Sequence, residues 1–165
     1  MQIDPQLLQT ISIIVAIASV VIAFIIGVRS IRASAVSRKA SVFISYQAQA
    51  YDEQFLISHL EFLTEWSWKD YEEFIQKYGP RTNPKAYAKF LSILGFYEGM
   101  ARLLKKNIIE IDLMPESMAI LIIRFGEKIE PMSKEMVKDF GRTEGHELIR
   151  FLYNEVRKQQ RLSEN

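Results

Sequence analysis

His146, Glu147, Leu148, Ile149 and Arg150 begin like the metal-binding helix pattern HExxH, in which histidines four residues apart hold zinc and the glutamate acts as a base. The second ligand position is filled by Arg150, a permanent cation that repels a metal, so the pattern fails. His59 and His146 are the only histidines and there is no cysteine, which excludes a histidine- or thiolate-rich metal site and any thiolate nucleophile. A carboxylate site has no recognisable spacing either. Both histidines read as structural or surface residues. Glu98 and Arg102 stand one helical turn apart and read as an ion pair rather than as a catalytic acid with its orienting base. No phosphate-binding loop, nucleophile elbow or kinase signature occurs. No catalytic residue, metal site, cofactor or small-molecule substrate emerges, so the elements themselves must supply the functional reading.

The dominant element is the run Leu7 to Val28, which holds 22 residues without a charge. As a helix it spans ~33 Å, close to the hydrocarbon thickness of a bilayer. It reads as a transmembrane helix, with Asp4 and Pro5 as its cap and first turn. Arg29, Arg32, Arg38 and Lys39 follow it without an intervening acid, whereas only Asp4 and the terminal amine precede it. This asymmetry places the N-terminus outside and the rest of the chain in the cytoplasm, at the cell membrane. The segment before the span lacks Lys and Arg, and the apolar run is longer than a signal-peptide core, so the anchor is expected to stay uncleaved. Ser12, Ala16, Ser19, Ala23 and Gly27 recur at three and four residues along one face, and Ser30, Ser34, Ser37 and Ser41 continue the series. In lipid such small residues let helix backbones approach closely, which predicts a packing seam against another transmembrane helix.

Beyond the anchor (1–30), a juxtamembrane helical extension (31–50) leads into a domain (51–160), with a frayed polar tail (161–165). About 125 residues suffice for one core. The net charge of +1 gives no sign of a nucleic-acid partner. Val42 to Tyr46 is β-prone, but the arriving helix should propagate through it to about Ala50. Phe55, Leu56, His59, Leu60, Phe62, Leu63 and Trp66 have helical spacing. Ser67 and Asp70 resemble a capping box for a short helix that ends at Gly79-Pro80, with Gly79 in a left-handed cap. Asn83-Pro84 starts a central helix to Lys106, with Phe90, Leu94, Tyr97, Ala101 and Leu104 on one stripe. Gly95 and Gly99, at ~1 kcal/mol each relative to Ala, should permit a close approach on its other side. Further helices are expected from Pro115 to Ile129, from Ser133 to Phe140 with Gly141 as its stop, and from a Thr143 cap to Gln160. If the chain turns back after Ala50, Trp66 and Trp68 come within ~10 Å of the lipid and could meet headgroups.

Two resemblances extend this reading. Val42-Phe43-Ile44-Ser45-Tyr46, with Ser67-Trp68 and Glu72, resembles parts of the Toll/interleukin-1 receptor (TIR) family, which implies a parallel sheet and Glu72 as an NAD-cleaving residue. The spacing is too short for that family's intervening strands, and the required strand–helix alternation is missing. The span with its arginine flank, Phe96-Tyr97-Glu98-Gly99, the run Leu103 to Ile109, and Phe151-Leu152-Tyr153 are together similar to uncharacterised prokaryotic single-pass membrane proteins with helical domains. That resemblance implies no activity. The expectation is an all-α protein: an N-terminal transmembrane helix continuing into a long helix, packed with about five shorter helices as a cytoplasmic bundle. Its partners would be the lipid bilayer and another transmembrane helix, of a second copy or of a complex it serves as an accessory subunit; a TIR-like enzyme or a membrane sensor would be alternatives.

Overall fold

The computed structural model describes residues 5–140 and 143–163, apart from the side chains of residues 5, 7, 8, 10–12, 139, 140, 143, 144 and 163. The expected Asp4 cap and the stop at Gly141 lie outside the described residues, as do the side chains of the expected Thr143 cap and the seam position Ser12. The architecture is all-α. It comprises α1 (Pro5–Ala50), α2 (Glu53–Thr64), α3 (Tyr71–Tyr78), α4 (Pro84–Lys105), α5 (Glu116–Ile129), α6 (Ser133–Phe140) and α7 (Thr143–Ser163), with short 3-10 turns at Ile111–Leu113 and Glu130–Met132. Helix α7 includes residues 161–163. Val42 to Tyr46 is helical and no strand occurs among the described residues, so they do not form the parallel sheet that the TIR resemblance implies. The chain divides into two compact units, one ending at Val42 and the other beginning at Phe43.

In the first unit, the ten large apolar side chains from Ile13 to Ile26 are 48–72% exposed. The helix is apolar on all sides, and among the described residues none of its most apolar window is buried. It is long and apolar enough to cross a membrane.

The second unit starts with the last turns of α1: Phe43 and Tyr46 pack on the core and Ala50 is buried. Tyr46 lies against Gly99 of α4, where any side chain would strike its phenol. Asp52 then caps α2 by accepting from the Phe55 N–H at 3.0 Å. Phe62 of α2 is fully buried against Trp66 (5.5 Å), Phe90 of α4 (5.8 Å) and Phe125 of α5 (5.4 Å). Phe74 brings α3 to the same cluster through Phe90 at 4.9 Å. α7 closes the other side of α4 and α5 with Leu148, Ile149, Leu152 and Val156. The buried stripe of α4 is Phe90, Ile93, Tyr97, Met100 and Ala101 with Phe96, while Leu94 and Leu104 are only partly buried. The stripe is rotated from the expected one because α2 and α7 both claim this helix.

Cap chemistry sets the boundaries. Asp70, not Ser67, caps α3, accepting from the Glu73 N–H at 2.9 Å. Gly79 is extended (φ −70°) rather than left-handed; glycine is required because a Cβ would strike the Ile75 carbonyl. Asn107 takes the left-handed position at the end of α4 (φ 53°). The Ile108 N–H reaches the Leu103 carbonyl and the Asn107 N–H the Leu104 carbonyl, each at 2.9 Å, which is a Schellman closure.

Lys128 of α5 closes α2. Its ammonium donates to the carbonyls of Leu63 (2.9 Å) and Trp66 (2.7 Å) and lies 5.1 Å from the Trp68 ring centre. Partial burial moves its pKa below the usual lysine value. Trp66 itself is buried and stacked on Tyr78 at 4.4 Å, and Trp68 is half-buried against Phe62 and Phe74. α3 covers both indoles, so Trp66 is unavailable to headgroups. Lys128→Met keeps the aliphatic stem but orphans the two carbonyls; it should lower unfolding free energy by about 2 kcal/mol in denaturant titrations.

His59 is fully buried, with Nε2 3.2 Å from the Tyr97 hydroxyl and, among the described residues, no hydrogen-bond partner at Nδ1. Phe55, Tyr97 and Phe125 surround it with rings at 5.5–6.2 Å. Burial lowers its pKa to about 4 and drives that of Tyr97 well up. Unfolded, the imidazole takes up its proton near pH 6.5; folded, it does so only near 4. Stability should therefore fall by roughly 3 kcal/mol as pH drops from about 6.5 to 4. His59→Phe should flatten that window in urea titrations across pH; an unchanged slope would assign it to other groups.

Candidate functional site

A cleft of about 200 Å³ opens between α4, the end of α5, α6 and α7. Leu91 and Leu94 of α4, Met136 and Val137 of α6, and Ile149 of α7 give it apolar walls. Three polar side chains among the described residues line it: Glu98 from α4 and His146 from α7, both half-buried, and the buried Ser133 of α6. Among the described residues neither Glu98 nor His146 has a side-chain hydrogen bond or ion pair, so the expected Glu98–Arg102 pair is not formed.

Glycines shape the cleft. Gly145 is buried, and a side chain on it would collide with the Glu98 carboxylate. Gly95, one turn before Glu98, is exposed, and a Cβ there would meet nothing within 4 Å. The expected close approach thus exists at Gly99, against Tyr46, and not at Gly95. Ser133 is buried at the cleft, its hydroxyl donating to the Glu130 carbonyl at 2.8 Å, which leaves it no role as a free nucleophile. A neighbouring recess of about 400 Å³ shares Ile129, Ser133, His146 and Ile149 and continues along α7 to Arg150, Tyr153 and Arg157. Arg157 donates to the Tyr153 hydroxyl. Chemically, a carboxylate and an imidazole on apolar walls can hold a cation or a hydrogen-bond donor.

The residues singled out by sequence lie elsewhere. Ala16, Ser19, Ala23 and Gly27 are exposed on α1, and Ser19 donates back to the Val15 carbonyl at 2.8 Å. Nothing within 4 Å would meet a Cβ on Gly27. Arg29, Arg32, Arg38 and Lys39 are exposed on the same helix. Among the described residues no three His, Asp or Glu side chains converge as a metal site would require. The cleft escaped the sequence because Glu98 and Gly145 are far apart along the chain, and only the packing of α7 on α4 brings them together. The one available signal was Gly95, a helix-interior glycine without a packing role.

No curated protein and no solved structure matches the chain. A family described as a domain of unknown function, DUF4760, matches residues 7–144, from the apolar run of α1 through the start of α7. Because that match covers most of its length, the chain belongs to the DUF4760 family.

Proposed function

We propose that this protein is a membrane-anchored helical interaction module. Residues 7–28 cross the bilayer, the basic flank Arg29, Arg32, Arg38 and Lys39 keeps the C-terminal domain in the cytoplasm, and the N-terminus lies outside. The small-residue face of α1 then packs against another transmembrane helix, of a second copy or of a larger complex. One observation carries this reading: the apolar stretch of α1 is uncovered on every side, which in water leaves far more apolar surface than a soluble domain tolerates. A sensing role is the second reading, favoured by the cleft on the domain, because a regulator needs a place for an effector.

Ala23 and Gly27 test the seam cleanly, since a larger side chain at Gly27 meets nothing within its own chain. The double variant Ala23→Ile, Gly27→Ile should remain in carbonate-washed membranes. Its cross-linking to the partner helix in native membranes should fall about tenfold, the loss expected for ~1.4 kcal/mol of helix packing. Undiminished cross-linking would remove the seam, and release by carbonate would remove the anchor.

A further inference from the structure

We propose that the cleft between α4, α6 and α7 binds a small organic cation, an apolar body about the size of one ring bearing an ammonium group that pairs with Glu98. The inference stands on the second unit alone and uses nothing about α1.

Three observations converge on it. First, Glu98 is half-buried on apolar walls without an ion pair or hydrogen bond among the described residues. A carboxylate so placed loses part of its hydration and gains no ion pair or hydrogen bond among the described residues in return, an arrangement that a bound cation repairs. Second, the chain keeps space free around it. Gly145 yields the position a side chain would need, so the carboxylate can sit against α7. Gly95 leaves the opposite rim open although a Cβ there would touch nothing, so the helix stability lost relative to alanine is not repaid by packing within the chain. Third, the dimensions fit. At about 200 Å³ the cleft exceeds the ~150 Å³ cavity that accepts one benzene ring.

The sign of the ligand follows from the charges. Among the described residues, Glu98 is the only acidic or basic side chain on the cleft wall besides the His146 imidazole, whose nitrogen can accept a second ammonium proton. Arg150 and Arg157 belong to the adjoining recess, where Glu127 and Glu130 accompany them. An anion would meet a carboxylate; an ammonium meets a carboxylate and an imidazole, with Leu91, Met136 and Ile149 around its apolar body.

The two histidines provide the readout. In the full chain held in lipid nanodiscs, benzylamine should shift the His146 ring signals saturably by NMR, leaving those of His59 in place because that ring lies buried against Tyr97 and Phe125. Benzyl alcohol should bind at least about tenfold more weakly, and Glu98→Gln should weaken benzylamine by a similar factor. Gly95→Leu, which fills the rim, should abolish the shift. Gly95→Ala should raise the melting temperature, showing that α4 tolerates a side chain there and that loss in the leucine variant is not misfolding. Equal affinity for amine and alcohol, unchanged binding by Glu98→Gln, or no saturable shift would each overturn the proposal.

Discussion

The domain depends on one buried aromatic side chain, Phe62, and on what surrounds it. Its ring touches Trp66 and Trp68 beyond the end of its own helix, Phe90 on α4 and Phe125 on α5, while the Lys128 ammonium lies 5.7 Å from its centre. Rings at these distances gain edge and offset contacts beyond simple burial. Because those contacts join α2 to both α4 and α5, the position of α2 sets those of the other two helices. Phe74 adds α3 through Phe90, and the Lys128 ammonium satisfies carbonyls at the end of α2 that have no helical partner. The ion pair of Lys89 with Glu61 joins α2 to α4 at the edge of this cluster.

Close beside it, the domain holds polar atoms with little solvent. The His59–Tyr97 pair is enclosed by rings, and burial favours the neutral form of both groups. The α4 cleft is the opposite case, a carboxylate without an ion pair or hydrogen bond among the described residues. One arrangement suits a neutral, rigid core and the other leaves a charge available. The first is integral to stability, and the second has no evident structural use within the chain.

The two units face different constraints. In the Phe43–Asn165 unit, apolar side chains find each other; in α1 the large apolar side chains from Ile13 to Ile26 are exposed. A helix so apolar on all sides needs lipid or another helix as its solvent. Assignment to DUF4760 brings no activity with it, so the functional argument rests on these physical contrasts.

Local rules accounted for the helices. The uncharged run from Leu7 to Val28, the Asn83-Pro84 start, Pro131 after α5 and the basic end of α4 each act through nearest neighbours, and the elements follow them closely. Helix propagation, likewise local, carried α1 through the β-prone Val42–Tyr46 to Ala50. Tertiary packing decided what local pattern leaves degenerate. Several faces of α4 are apolar, and only the arrival of α2 and α7 selected Ile93 and Met100 over Leu94 and Leu104. Both Trp66 and Trp68 could equally have faced lipid until α3 covered them. Gly79 reads as a left-handed cap, yet its constraint is an approach to the Ile75 carbonyl. The cleft belongs wholly to this second category: Glu98 and Gly145 carry no joint signal along the chain, because their meeting is a product of how α7 lies on α4.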